Sequence, residues 1–162
     1  MGLAWAGAVR LLGMEQPTPP QAPISPLDAL RRICFLLERG RESSYRVDAF
    51  RKTIEAITLI PDTELRERVE AGTLKQIKGI GDSSAAIIGQ AVRGVLPAYL
   101  VSAEEKHGEP LTRDGAELYA ALRGDLHAHS NWSDGGSPIE EMVLAAVELG
   151  QEWMALTDHS PR

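Results

Sequence analysis

Hydrophobic residues recur at helical spacing through the first part of this chain and in short strand-like runs near its end. Leu27, Leu30, Ile33, Cys34 and Leu37 form one helical stripe. Its start is marked by Ser25-Pro26-Leu27-Asp28: the serine caps, the proline suits the first turn, and the aspartate favours the positive dipole end. Gly40 ends it. A second helix is predicted over 44–57, with Tyr45, Ala49, Phe50, Ile54 and Ile57 on one side and Arg46, Arg51 and Lys52 on the other. Pro61-Asp62 stops that helix and opens a third over 63–71, closed by Gly72. Leu74 and Ile77 then lead into Gly79-Ile80-Gly81, where the glycines permit tight turning and Ile80 plugs the core. Asp82 or Ser83 is expected to cap the next helix, with Ala85, Ile88 and Val92 inward. Helices over 96–105 and 114–122 follow, separated by Gly108-Glu109-Pro110.

The remaining residues read as strand, helix, strand. The first strand covers 124–129 and a loop covers 130–136. Ser137-Pro138-Ile139-Glu140 is a capping-box signature for a helix whose apolar face is Ile139, Met142, Val143, Ala146 and Val147. Gly150 ends the helix and 153–157 is the second strand. So short a unit implies parallel strands and a right-handed crossover. Side chains alternate along a strand, so His127 and His129 share one face while Leu126 and Ala128 point into the core. Asp134 follows in the loop, and Asp158-His159 follows the second strand, at the same rim. Imidazoles and a carboxylate suit Mn, Zn and Fe alike.

Composition narrows the class. At 162 residues the chain holds one domain, or one small domain and part of another. Apolar content of 43% and charged content of 25% are those of a globular protein. The single cysteine, Cys34, excludes an internal disulfide and fits a cytoplasmic location. No run approaches the ~20 apolar residues of a membrane span. Pro17, Pro19, Pro20, Pro23 and Pro26 crowd the start, and residues 1–24 are expected to be a disordered leader. Charge is uneven: residues 26–95 carry +2 and residues 96–162 carry −8. Such asymmetry points to two modules with different partners. An acidic segment repels nucleic acid unless cations sit in it.

The stretch from Leu74 to Ile88 resembles a helix-hairpin-helix motif, although the residues alone also permit an ordinary turn between packed helices. Such a hairpin offers backbone amides and a helix N-terminus to a phosphate without reading the base. The resemblance implies DNA-backbone contacts by Lys75, Lys78, Gly79, Gly81 and Ser83. With Tyr45-Arg46-Val47-Asp48-Ala49-Phe50-Arg51-Lys52 upstream, residues 25–95 look like the small N-terminal domain of polymerase beta and the DNA polymerase X family. In polymerase beta a lysine after the hairpin performs Schiff-base lyase chemistry. The matching helix here, from Ser83 to Ile88, has no lysine, and a Schiff base needs an amine. That activity is not expected.

His127-x-His129-x-x-x-Ser133-Asp134-Gly135 followed by Thr157-Asp158-His159-Ser160 resembles the first two motifs of the polymerase and histidinol phosphatase (PHP) superfamily. Members are distorted (βα)₇ barrels that bind divalent metals and hydrolyse phosphoesters. The resemblance implies metal ligation by His127, His129, Asp134 and His159. Asp158 is either a further ligand or a partner that orients a histidine. The expected architecture is therefore α+β and multidomain. An all-α helix-hairpin-helix domain (25–95) and a helical linker (96–123) lead into the first strands of an incomplete PHP barrel (124–162). Later ligands of the family do not occur before Arg162, so the chain reads as part of a longer enzyme, with weak metal binding and no efficient catalysis by itself. Three functions stay open: a DNA-directed, 3′-5′ exonuclease-like phosphoesterase, a non-catalytic DNA-binding module, and a histidinol-phosphatase-like enzyme.

Overall fold

The computed structural model of the protein describes residues 7–10, 21–109 and 114–160. Two compact units divide the chain: Pro19–Pro110, and Leu111–Arg162 with residues from the start of the chain. Most of the described structure is helical.

The first unit is built on α1 (Pro26–Arg39). The Ser25 hydroxyl accepts from the Asp28 amide at 3.0 Å, and Pro26 opens the first turn, as the sequence predicts. Ala29, Leu30, Ile33, Cys34, Leu36 and Leu37 are buried. Around α1 pack α2 (Ser44–Thr58), α4 (Asp82–Val92) and α5 (Ala98–His107). The short α3 (Asp62–Glu70) packs on α4. Helix α2 buries Val47, Phe50, Ile54 and Ile57, a cleaner helical stripe than the expected one. Tyr45 lies off that stripe and is exposed.

Helix α5 was expected in a linker over 96–123, yet it is packed into the helical core. Leu100 and Ala103 are buried, and Arg32 donates to both carboxylate oxygens of Glu104 at 2.6 and 3.1 Å. The paired, half-buried guanidinium and carboxylate hold α5 to α1 in the bidentate geometry that makes such pairs strong.

Thr53, fully buried on α2, ties that helix to the segment ahead of α4. Its Oγ1 lies 2.8 Å from the Gly79 carbonyl, 3.1 Å from the Ala49 carbonyl and 2.8 Å from Ser84 Oγ. A hydroxyl has one proton. Thr53 gives it to the carbonyls, so Ser84 is the donor in the hydroxyl pair. Thr53→Val keeps the shape and strands the Gly79 carbonyl and the Ser84 hydroxyl. We expect a loss of about 1–3 kcal/mol, read by urea unfolding of the helical signal.

The second unit contains α6 (Ala116–Ala121), β2 (Gly124–Ala128), α7 (Ile139–Glu148) and β3 (Trp153–Leu156). β2 and β3 are parallel, as expected. β3 is central, because β1 (Gly7–Arg10) pairs antiparallel on its other edge. Residues 7–10 therefore form a strand, against the expectation of disorder; the rest of 1–20 lies outside the described residues. Gly124 faces Trp153 so closely that a Cβ would collide with it, which accounts for a glycine at the start of β2.

The core of this unit is small. Ala128, Ala146 and Met154 are buried, with Met142 and Val143 against them. Leu126 was expected to join it but is 74% exposed. The reason is a register shift: Asp125 faces Met154 while Ala128 faces Leu156, so β2 carries an extra residue. A bulge of this kind breaks the alternation on which the expectation rested. Among the described residues no helix is long and apolar enough to cross a membrane.

Candidate metal centre and hairpin

The ends of the parallel strands β2 and β3 converge on one loop, and Ser130 is its pivot. This residue is fully buried. Its carbonyl accepts from the amides of Ser133 at 3.2 Å and Gly135 at 3.0 Å, while the Asn131 amide donates to the Ser137 carbonyl at 2.8 Å. Gly135 lies against the backbone of His129 and Ser130, and a Cβ there would collide with both. Ser137 does not occupy the cap of α7, whose N-cap position is Pro138. The N-cap position thus falls one residue later than the expected capping box placed it.

Asp158, just beyond β3, clamps this loop. Its Oδ1 accepts from the Ser130 amide at 2.7 Å and from Ser133 Oγ at 2.6 Å; its Oδ2 accepts from Ser130 Oγ at 2.6 Å. These serine hydroxyls hold its carboxyl below the usual carboxylate range, against the opposing effect of burial. The neighbouring Thr157 is fixed as well, its amide donating to the Ala128 carbonyl at 2.8 Å. The contacts of Asp158 are with serines of the loop, where the sequence had offered a histidine partner. Ser130 was not singled out from sequence; only its burial between the strands marks it.

This framework places the histidines and Asp134. His127 Nε2 and His129 Nε2 are 2.7 Å apart. Asp134 Oδ1 lies 3.0 Å from His129 Nδ1, and its Oδ2 lies 3.5 Å from His159 Nε2. One donor atom from each of His129, Asp134 and His159 falls within 4.8 Å of the others. His127 stands outside that trio but touches it through His129. Burial pushes the Asp134 carboxyl up, yet the Ser133 hydroxyl and the electrostatic influence of the neighbouring His129 and His159 together bring it below its ordinary value.

The donor set fits a divalent cation. His129 Nδ1 is buried and has no hydrogen-bond partner, despite its closeness to Asp134: the distance is short but the alignment is not that of a hydrogen bond. A neutral imidazole carries one proton. If His129 uses it on His127, its Nδ1 lone pair faces a carboxylate. Two lone pairs in that position repel unless a proton or a cation lies between them. Two imidazoles and one carboxylate suit Zn, Mn or Fe.

A second candidate surface lies in the helical unit. After a 3₁₀ turn at Leu74–Gln76, Gly79 takes φ +98°, a left-handed conformation suited to glycine. Ile80 is buried as expected. Lys75, Lys78, Gly79, Gly81 and Ser83 are all exposed around this turn. Lys75 Nζ, however, contacts Asp82 Oδ1 at 2.7 Å. That hydrogen bond and its charge raise the Lys75 pKa and lower that of Asp82. Neither Asp82 nor Ser83 caps α4; the N-cap is Gly81, without a side chain. Arg46 and Lys52, from the basic side of α2 expected from sequence, line a groove beside Ser83 together with Lys106, which sequence reasoning did not single out.

Residues 25–94 match the helix-hairpin-helix domain family, and residues 125–162 match the PHP domain family. The chain is 54% identical over 39 residues to the DNA polymerase/3′-5′ exonuclease PolX of Bacillus subtilis (strain 168), covering 24% of this chain and 7% of that protein. It is 56% identical over 36 residues to DNA polymerase III subunit alpha of Treponema pallidum (strain Nichols), covering 21% of this chain and 3% of the relative. An error-prone DNA polymerase of Cutibacterium acnes (strain DSM 16379 / KPA171202) is 54% identical over 37 residues, or 22% of this chain and 3% of its own length. The matched stretches are thus small parts of these relatives. No solved structure matches the chain. The trio of His129, Asp134 and His159 lies inside the PHP segment, and the Gly79–Gly81 turn lies inside the helix-hairpin-helix segment.

Proposed function

We propose that this chain joins a DNA-docking helix-hairpin-helix domain (25–95, extended through α5) to the opening strands of a PHP-type (βα)₇ barrel (124–162). In this reading His129, Asp134 and His159 hold divalent metal for phosphoester hydrolysis at DNA 3′ ends, with His127 packed against His129. The observation that carries it is the convergence of His129, Asp134 and His159 at the ends of two parallel strands. Bound there, Mn, Zn or Fe supplies charge that polarises a phosphoryl oxygen and activates water. The chain's own residues do the positioning. Asp158, through Ser130 and Ser133, fixes the loop that carries Asp134. His127, against His129, limits the ring orientations open to that ligand. The DNA assignment draws on the hairpin and on the relatives, which are named as DNA polymerases and a 3′-5′ exonuclease. Lys78, Gly79, Gly81 and Ser83 meet the phosphate backbone, with Lys75 beside them.

The test compares Mn²⁺-dependent release of nucleotides from a DNA 3′ end with hydrolysis of histidinol phosphate. Both are assayed on the 162-residue chain and on the same residues joined to a complete PHP domain. We expect DNA cleavage that EDTA stops from the joined protein, and little from the 162-residue chain by itself. Preference for histidinol phosphate would move the reading to a small-molecule phosphatase. DNA binding with no hydrolysis in either protein would leave only the docking module.

A further inference from the structure

We propose that Asp82 is an electrostatic brake on phosphate docking by the hairpin. The inference rests on the DNA reading above and identifies a residue that sets the affinity of that surface.

Asp82 is the first residue of α4, where the unpaired amides and the positive dipole end face outward. A phosphate approaching the Gly79–Gly81 turn meets this residue first. The side chain of Asp82 is 88% exposed, and its partner Lys75 is 62% exposed. An exposed pair of this kind contributes little to folding. The geometry points instead to an effect on ligands. Lys75 directs its ammonium at Asp82 Oδ1, 2.7 Å away, so one of the two lysines flanking the turn is already neutralised within the protein. Lys75, Asp82 and Arg93 line a shallow recess between α3 and α4, floored by the small residues Ala85, Ala86 and Gly89. Two cations border the recess and one acid cancels one of them. A phosphate that takes Lys75 leaves the Asp82 carboxylate unpaired beside it and adds repulsion. The small surplus of positive charge over residues 26–95 makes one misplaced carboxylate matter.

The experiment measures binding of a fluorescein-labelled single-stranded DNA oligomer by anisotropy across a range of KCl, with EDTA present so that no metal-held contact contributes. Asp82→Asn is expected to bind several-fold tighter, with a salt slope steeper by up to about 0.7, the value of one added phosphate contact. Asp82→Asn combined with Lys75→Ala returns affinity to the wild-type range. Glu55→Gln, on an exposed position of α2, makes the same change in net charge and is expected to leave binding unchanged. Equal gains from Asp82→Asn and Glu55→Gln would assign the effect to overall charge and overturn the brake. No gain from Asp82→Asn, with wild-type binding lost on Lys78→Ala, would overturn the brake and leave the docking surface standing. Absence of binding by every variant would overturn the DNA reading and the brake with it.

Discussion

His129→Ala lowers the affinity of the chain for Mn²⁺ by more than about 100-fold, the largest effect expected of any single substitution. Partners that merely orient a metal ligand cost 10- to 100-fold when removed. His129 is a member of the donor trio, so its loss exceeds that range. It also touches every other group of the centre: His127 at 2.7 Å, Asp134 at 3.0 Å, and His159 through tilted rings with centroids 4.9 Å apart. The structure predicts an order among the histidines. His127 lies outside the trio, so His127→Ala weakens Mn²⁺ less than His129→Ala does, while abolishing hydrolysis wherever hydrolysis is measurable. Titration of Mn²⁺ followed by loss of its free-ion paramagnetic resonance signal gives both affinities. Unchanged binding in His129→Ala would refute the metal assignment. Equal losses from both variants would place His127 among the direct ligands.

The local parts of this fold were legible in sequence because their causes are local. Ser25, Pro26 and Asp28 lie within one turn of each other, and they begin α1 as their chemistry dictates. The parallel pairing of β2 and β3 follows from a connection too long for a hairpin. What escaped depends on distant partners. Thr53 reads as a polar interruption of α2 until the Gly79 carbonyl, 26 residues on, is placed beside it. Tyr45 and Val47 are both apolar residues near the start of α2, and only the packing of α1 and α4 decides that Val47 is inside. Leu126 obeys strand alternation in sequence and escapes the core through a bulge that no residue type announces. The helix cap at Asp82 failed because its carboxylate is taken by Lys75 and the N-cap is Gly81; at Ser137 the helix begins one residue later than expected, with Pro138 at the N-cap. At the metal centre the ligand types and spacing were visible, but the use of Asp158 was not. A carboxylate next to a histidine reads as chemistry. Here its oxygens are taken by serines 25 and 28 positions away.

Asp158→Ala is accordingly expected to weaken Mn²⁺ binding by about 10- to 100-fold without removing any atom of the donor trio. The carboxylate receives three hydrogen bonds of 2.6–2.7 Å from Ser130 and Ser133, and these are among the contacts that fix the path from His129 to Asp134. Alanine leaves the buried Ser130 hydroxyl and amide without an acceptor, so the loop must open or rearrange to reach water. Asp134 then loses its fixed place beside His129 and His159, and the cation site must be assembled at the moment of binding. Asp158→Asn retains one carbonyl acceptor but presents an amide donor to the second side of the clamp, so its loss should fall between wild type and alanine. Ser133→Ala removes one of the three clamp bonds, together with a longer 3.2 Å contact to Asp134 Oδ1, and costs less than Asp158→Ala. Because the two act through one clamp, the double variant Ser133→Ala/Asp158→Ala should bind Mn²⁺ about as well as Asp158→Ala alone; coupling of this kind distinguishes a shared clamp from two independent lesions. Additive losses in the double variant would sink the clamp. A loss in Asp158→Ala accompanied by collapse of the Trp153 environment in near-ultraviolet circular dichroism would mean that β3 itself had failed. An intact Trp153 signal with weakened Mn²⁺ binding would locate the defect in the loop that carries Asp134.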